Sequence, residues 1–193
     1  MGMGTTSDIK QLLAALKAGQ CAIFPTDTVV GLGVAPAYAQ SPQAIFAAKQ
    51  RDAGKPVAWL VGGVDALDVY GTQVPDYARN MAHAFWPGAL TLVVHASDEV
   101  PASFQAPDGS IALRMPAHTR CLEIIHQVGP LATSSANRSG EAAPARVADV
   151  DDKLMLSVGC VFDDGTSAAG QPSTIVDCRQ ATPIILRQGS VVV

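Results

Sequence analysis

The sequence predicts an α/β domain built on a mixed, twisted β-sheet. Helix and strand patterns alternate through most of the chain, whereas the C-terminal part has three short strand patterns in succession. With 193 residues, 48% of them hydrophobic, the chain is long enough to bury a sizeable core. We find no internal repeat, low-complexity run or linker, so we expect a single domain over residues 1–193.

Four segments have the periodicity and the end signals of helices. The first begins after Asp8, a predicted N-cap, and ends at Gly19. The second begins at Ser41-Pro42, with the hydroxyl as the cap and proline at the first helical position, and runs to about Lys49. Two further helices are predicted at residues 75–85 and 118–129.

Eight apolar runs have the length of strands. They occupy residues 21–24, 56–61, 90–96, 110–116, 130–136, 160–165, 173–179 and 183–189. The first runs into "PTDTVVGLG", where two hydroxyls, a carboxylate and two glycines indicate a loop. A second polar loop is predicted at residues 137–146, directly after a strand.

Composition excludes several classes of protein. The net charge of −4 argues against binding nucleic acid by overall charge, although a local basic patch remains possible. The four cysteines are far apart and form no C-x-x-C pair, which favours reduced core thiols over a zinc site or disulfides. No signal-peptide core and no apolar run of about 18 residues is present, so we expect a cytoplasmic protein.

The positions of the basic residues are more informative than their number. Six of the thirteen Lys and Arg residues lie near ends of predicted elements, beside Pro, Ser, Thr or Gly: Lys49, Arg51, Lys55, Arg114, Arg138 and Arg187. Cations gathered at loop edges of an acidic chain predict an anionic small-molecule ligand, although solvated charges at the surface are the alternative. Lys49, Arg51 and Lys55 fit a polyphosphate clamp and equally fit the basic end of a helix.

Three polar segments lie where predicted strands end or begin. "TSSANRSG" suits phosphate or ribose oxygens, or is a simple hydroxyl-bonded turn. In "PSTIVD", Ser173 and Thr174 either face a ligand or only start a strand. Asp27 is either a Mg²⁺ ligand or a cap for its own loop. No Walker loop, H-E-x-x-H or G-x-S-x-G is present, so the residues themselves predict only a small anion bound by loops at strand ends.

Seven short motifs occur in an order that resembles the YrdC-like family. They are "PTDTVVGLG", "KQR" followed by "KP", "WPGALT", "IALRMPAH", "ATSSANRSG", "PSTIVD" and "ILRQG". The likeness covers a core of about residues 9–191. It is greatest to the family's threonylcarbamoyl-AMP synthases of the short, single-domain type.

The resemblance implies an enzyme that makes threonylcarbamoyl-AMP and pyrophosphate from L-threonine, bicarbonate and ATP, for N6-threonylcarbamoyladenosine (t6A) in tRNA. It implies an open twisted sheet with a concave, positively lined cavity. Mg²⁺ would accompany ATP, with no tightly bound metal or organic cofactor. Expected partners are the substrates, a weak contact with tRNA, and downstream proteins of t6A transfer; no membrane is expected.

The resemblance also assigns roles to residues, with metal ligands left unassigned. The threonine site would contain Thr28, Arg114, Thr133 and Ser173. The ATP site would contain Lys49, Arg51, Lys55, Ser110, Ser135, Asn137 and Arg187. Lys49 and Arg51 would act on the phosphates as the catalytic cations, and Ser110 would contact nucleotide through its backbone.

Two positions depart from the family pattern. Val30 stands where Tyr is usual, which removes a hydroxyl and an aromatic wall, and Ala89 replaces a second proline.

Two other functions stay open: a non-catalytic RNA-binding module of the same fold and a carbamoyl-transfer relative. Few aromatics and the acidic charge disfavour the first. The absence of clustered cysteines disfavours the second.

Overall fold

A computed structural model describes residues 4–50 and 56–193. Within these residues the helices are α1 (Ile9–Lys17), α2 (Gln43–Lys49), α3 (Ala66–Tyr70), α4 (Asp76–Phe85), α5 (Thr119–Val128) and α6 (Asp152–Met155). The strands are β1 (Ala22–Phe24), β2 (Gly31–Val34), β3 (Ala58–Leu60), β4 (Gly71–Thr72), β5 (Leu90–Ala96), β6 (Ser110–Arg114), β7 (Leu131–Ser135), β8 (Cys160–Val161), β9 (Thr174–Asp177) and β10 (Ile184–Arg187). No helix in the described ranges is long and apolar enough to cross a membrane.

All of these strands belong to one sheet. Its order is β10-β9-β5-β6-β3-β7-β2-β1-β8, and β4 pairs with β5 beside this path. The pairs β1–β8, β3–β6 and β5–β9 are parallel, and the others are antiparallel. The predicted mixed α/β sheet is therefore confirmed.

Two hydrophobic layers cover the sheet, because successive side chains of a strand point to opposite faces. Trp59 of β3 packs in the layer that includes α2 and α4, whereas Leu60 packs in the layer of α1 and α5. The four cysteines are buried and free, as expected. Burial raises the pKa of the Cys21, Cys121 and Cys178 thiols to about 12.

The predicted elements are all present, most of them with shifted ends, but other elements were missed. Asp8 caps α1 by accepting from the Lys10 amide at 2.9 Å. The N-cap of α2 is Pro42 rather than Ser41, so proline lies one position earlier than predicted. Helices α3 and α6 and strands β2 and β4 had no counterpart in the prediction, since each is short or rich in turn-forming residues.

The prediction was wrong for the end of the "PTDTVVGLG" segment, where Gly31 and Gly33 belong to strand β2. A Cβ atom on Gly33 would lie 2.7 Å from the carbonyl oxygen of Ala132 and 2.7 Å from the Thr133 methyl group. Glycine is therefore required at this position by close pairing with β7.

Candidate functional site

A cavity of about 790 Å³ opens on the face of the sheet that also carries α1 and α5. Alternate residues of β3 and β6 form its floor, and several of them are small, such as Ala58 and Ala112. Small floor residues make the surface concave, and the volume is in the range of small-molecule sites. Around the floor, the walls include Thr26, Thr28, Val29, Pro107, Asp108, Pro172, Ser173, Arg179, Leu186 and Arg187.

Strand register separates two ends of this cavity. Ser110 begins β6 and Arg114 ends it, so the two positions are about 13 Å apart along the strand. Pairing of Leu92 with Leu113 puts Thr91 and its partner Ser173 near Arg114, which we call the Arg114 end. The opposite end, at Asp108 and Ser110, is called the Asp108 end.

The Arg114 guanidinium is held by three groups. Its Nε donates to the carbonyl oxygen of Gly88 at 2.9 Å, and Nη1 donates to the Thr28 hydroxyl at 2.6 Å. Its Nη2 forms an ion pair with the carboxylate of Asp27. The Arg114 side chain is only 7% exposed, so these bonds fix a cationic group at the cavity wall.

The loop that carries Asp27 and Thr28 is itself fixed from both sides. The Thr26 hydroxyl donates to the Val29 carbonyl at 2.6 Å inside the loop. The amides of Ala169 and Gly170 donate to the carbonyls of Asp27 and Thr28 at 3.0 and 2.8 Å. Asp27, which sequence reasoning left as a loop cap or a metal ligand, is thus the counter-ion of Arg114.

Arg187 is the second guanidinium of the Arg114 end. Its Nε and Nη2 donate to the carbonyl of Ser173 at 3.0 and 2.8 Å, and Nη2 also reaches the Ser173 hydroxyl at 3.2 Å. Burial and, to a smaller extent, the charge of Arg114 lower the pKa of Arg187. Within the described ranges no carboxylate forms an ion pair with it, so this end favours an added anion.

The Asp108 end contains residues that sequence reasoning missed. Arg179 binds both carboxylate oxygens of Asp177, at 2.9 and 2.7 Å, and its Nη1 donates to Asp108 Oδ2 at 2.6 Å. Ser110 donates to the other Asp108 oxygen through its amide at 3.2 Å and its hydroxyl at 2.6 Å. The hydrogen bond from the Ser110 hydroxyl makes the largest contribution to lowering the pKa of Asp108 to about 2, and the bond from Arg179 makes the next largest.

Lys49 and Asn137 adjoin the cavity through Ser135. The Lys49 ammonium donates to the carbonyl oxygens of Ser135 and Asn137, the latter at 2.5 Å. Lys49 as a whole is only 3% exposed. This buried cation therefore fixes the turn that follows β7.

Seven of the predicted site residues line the cavity. They are Thr28, Ser110, Arg114, Thr133, Ser135, Ser173 and Arg187. Arg51 and Lys55, also predicted, lie outside the described residues. The side chain of Val30, 1% exposed, belongs to the hydrophobic core, so the departure at this position changes packing rather than the cavity lining.

Two predicted ligand-binding residues, Thr133 and Ser110, already make hydrogen bonds within the protein. Thr133 donates to the Ala58 carbonyl at 3.1 Å, and the Ser110 carbonyl accepts from the Ala106 amide at 2.9 Å. The backbone of Ser110, predicted to contact nucleotide, therefore makes bonds within the protein. In residues 4–50 and 56–193, no group of three or more His, Cys, Asp or Glu side chains is placed to hold a metal ion.

An open mixed sheet with a cationic cavity on one face defines an α/β protein with a small-molecule site. The Sua5/YciO/YrdC family model, described as "Telomere recombination", matches residues 14–189. The chain therefore belongs to the Sua5/YciO/YrdC family.

Similar proteins include a relative from Mycobacterium leprae, provisionally named a threonylcarbamoyl-AMP synthase. It is 41% identical over 183 residues, which are 95% of this chain and 83% of the relative. A threonylcarbamoyl-AMP synthase of Pyrococcus abyssi is 34% identical over 175 residues, 90% of this chain and 52% of that protein.

A solved structure is also similar: Pyrococcus abyssi Sua5 complexed with L-threonine, with a TM-score of 0.87 and 34% identity. The match covers 94% of this chain and 54% of Sua5. The chain thus spans about half the length of the Pyrococcus proteins that it matches.

Proposed function

We propose that this chain is a threonylcarbamoyl-AMP synthase, acting in t6A formation in tRNA through one domain with its core at about residues 9–191. The observation that carries the proposal is the pair of guanidiniums at the Arg114 end: Arg114 is paired with Asp27, and no carboxylate of the described residues forms an ion pair with Arg187. The names of the Mycobacterium and Pyrococcus relatives, and threonine in the Sua5 structure, support this choice of reaction.

In the proposal, the Arg114 end binds L-threonine. Its carboxylate bonds to the N–H groups of Arg114, since guanidinium forks suit carboxylates. Arg187, which the sequence motif assigns to ATP, lies at the same end and would bind a phosphate where the two substrates meet. The hydroxyls of Thr28, Thr133 and Ser173 complete this part of the cavity and orient the amine and the side-chain hydroxyl. Because Arg114 is already fixed by Thr28 and Asp27, little rearrangement is needed on binding.

ATP would bind along the strand ends at β7 and β6. The Ser135–Asn137 turn, fixed by Lys49, meets the phosphates, and Arg51 and Lys55 are assigned to the same phosphates by their sequence motif. Mg²⁺ enters with ATP as part of the substrate, because it usually keeps several waters and binds substrate phosphates. The bound ion would screen the negative charge of the phosphates.

The chemistry needs no covalent enzyme intermediate. The neutral amine of threonine and bicarbonate give a carbamate and water, and a carbamate oxygen then attacks the α-phosphate of ATP. The bond between the α- and β-phosphates breaks, and pyrophosphate leaves with the bonding electrons. The protein contributes by positioning the reactants, by cationic stabilisation of the phosphates and by a cavity that limits water.

The experiment that tests the proposal is pyrophosphate release from ATP and Mg²⁺, with each amino acid added in turn and with bicarbonate omitted as a control. We expect release only when L-threonine and bicarbonate are both present. Release with a different amino acid would contradict the assigned substrate. A folded protein that binds ATP but releases no pyrophosphate with any amino acid would overturn the catalytic function.

A further inference from the structure

A bridge of side chains crosses the cavity wall at the Asp108 end. It begins at Asp177, the last residue of β9, passes through Arg179 and ends at Asp108, which lies in the loop before β6. Arg179 and Asp108 both line the cavity. The bridge therefore joins two walls that are 71 residues apart in the chain.

The backbone of the loop that carries Asp108 is fixed by three hydrogen bonds, one of them from the Ala96 amide of β5 to the Gly109 carbonyl at 2.9 Å. The Ala106 amide donates to the Ser110 carbonyl, and the Gly109 amide donates to the Ala106 carbonyl, each at 2.9 Å. Gly109 has a φ of +73°, a conformation that glycine adopts without a steric penalty. Asp108 itself is 55% exposed, so its position depends on Ser110 within the loop and on Arg179 across the wall.

We propose that Arg179 is a positioning residue for the nucleotide, which acts by holding the Asp108 carboxylate at the wall of the cavity. The inference rests on the proposed function, because it identifies the Asp108 end with the part of the cavity that receives ATP. The register supports this division, because Arg114 ends β6 and the Thr28 and Ser173 hydroxyls lie at that end. Thr133 is level with Ala112, in the middle of the cavity.

The geometry also indicates how Arg179 acts. Its guanidinium donates three hydrogen bonds to Asp108 and Asp177, and its side chain is 20% exposed. A guanidinium held in this way acts through Asp108, and its loss leaves Asp108 with only the Ser110 bonds. The effect should therefore fall on ATP binding and leave threonine binding unchanged.

The test compares Arg179→Met and Asp108→Asn with the unmodified protein, by calorimetric binding of ATP and by steady-state pyrophosphate release. We expect each variant to raise the Kd and KM for ATP about fivefold, as for a partly exposed charged contact. The KM for threonine should change less than twofold. The double variant should be no weaker than the single ones, because both substitutions remove the same contact.

Arg146→Met is the matched control, since Arg146 also binds both oxygens of an aspartate, Asp149, but does not line the cavity. It should leave both KM values unchanged. Arg179→Lys keeps the charge without the bidentate fork and should restore part of the ATP affinity.

Two results would overturn the inference: unchanged ATP binding in folded Arg179→Met and Asp108→Asn, or an equal rise in both KM values. If the unmodified protein binds ATP but makes no pyrophosphate, the proposed function fails while the ATP affinities of the variants still decide the role of Arg179. An unmodified protein that does not bind ATP would overturn both.

Discussion

The two ends of the cavity are built from the same groups in different surroundings. Each has an arginine–aspartate ion pair with a hydroxyl beside it, from Thr28 at one end and from Ser110 at the other. The side chains of Arg114 and Asp27 are 7% and 16% exposed, whereas those of Arg179 and Asp108 are 20% and 55% exposed. Breaking the buried pair leaves a charge away from water. Removing Asp108 from the exposed pair does not, because Arg179 stays paired with Asp177, but removing Arg179 leaves the 9% exposed Asp177 side chain without its counter-ion.

Because of this difference in exposure, substitutions in the two pairs should differ in how far they change the stability of the fold and the binding of substrate. Loss of one partner from the buried pair should affect both, because the remaining charge has no water to replace its partner. Loss of Asp108 from the exposed pair should cost the fold little and change mainly the cavity wall, whereas loss of Arg179 also leaves the buried Asp177 without its counter-ion. The following changes test this contrast, beginning with the one of largest expected effect.

Replacing Arg114 with methionine should have the largest effect. It leaves Asp27 partly buried without its counter-ion, and we expect a loss of about 3–5 kcal/mol in the free energy of unfolding. Threonine-dependent pyrophosphate release should fall to background, because the carboxylate loses its main partner. Urea denaturation and the pyrophosphate assay measure the two effects.

Asp27→Asn provides the comparison for this variant. It removes the carboxylate but keeps an oxygen that accepts from Arg114, so it should destabilise the protein less than Arg114→Met does. If both substitutions at this end changed stability by less than 1 kcal/mol, the contrast between buried and exposed pairs would be wrong.

Arg187→Met should affect activity without a comparable loss of stability. Burial and the charge of Arg114 disfavour the charged form of Arg187, so its removal relieves repulsion while it costs the bonds to Ser173. We expect the free energy of unfolding to change by about 1 kcal/mol or less. Threonine-dependent turnover should fall about tenfold or more, equivalent to 1.4 kcal/mol. A loss of stability as large as that of Arg114→Met would contradict this assignment.

The sequence predicted most of the sheet and helices because their apolar periodicity is local. It missed β2, since glycine and hydroxyl residues are typical of loops and the strand exists only through pairing with β7. The tight contact of Gly33 with the Ala132 carbonyl depends on a partner far along the chain. A contact between residues so far apart leaves no pattern within a short stretch of sequence.

Prediction of the site was limited in the same way. Motifs singled out seven residues that line the cavity, but the partner of Arg114 is 87 residues away and no spacing shows it. Arg179 had one local signal, the Asp177-x-Arg179 spacing, which places both side chains on one face of an extended chain. Its contact with Asp108 depends on the sheet order and could not be predicted from the sequence.

The smallest effect concerns the protonation of Asp108 at the exposed end. Its pKa in the folded protein, about 2, lies below the ordinary value of 3.8, so the bonds to its carboxylate stabilise the fold above about pH 4. This contribution is lost as the pH falls from about 4 to about 2. Titration of the Asp108 carboxyl carbon by NMR should show the low pKa directly. Ser110→Ala and Arg179→Met should each move it part of the way towards 3.8, because the Ser110 hydroxyl and the Arg179 guanidinium both lower it.

Asp149 supplies an internal reference for this titration. Arg146 lowers its pKa, and neither residue contacts the cavity, so Arg179→Met should leave the titration of Asp149 unchanged. An ordinary pKa for Asp108 in the unmodified protein, or the same pKa in Arg179→Met, would show that Arg179 does not hold the carboxylate in solution. The bridge at the Asp108 end would then be too weak to position the Asp108 carboxylate, and the buried pair alone would organise the charged groups of the cavity.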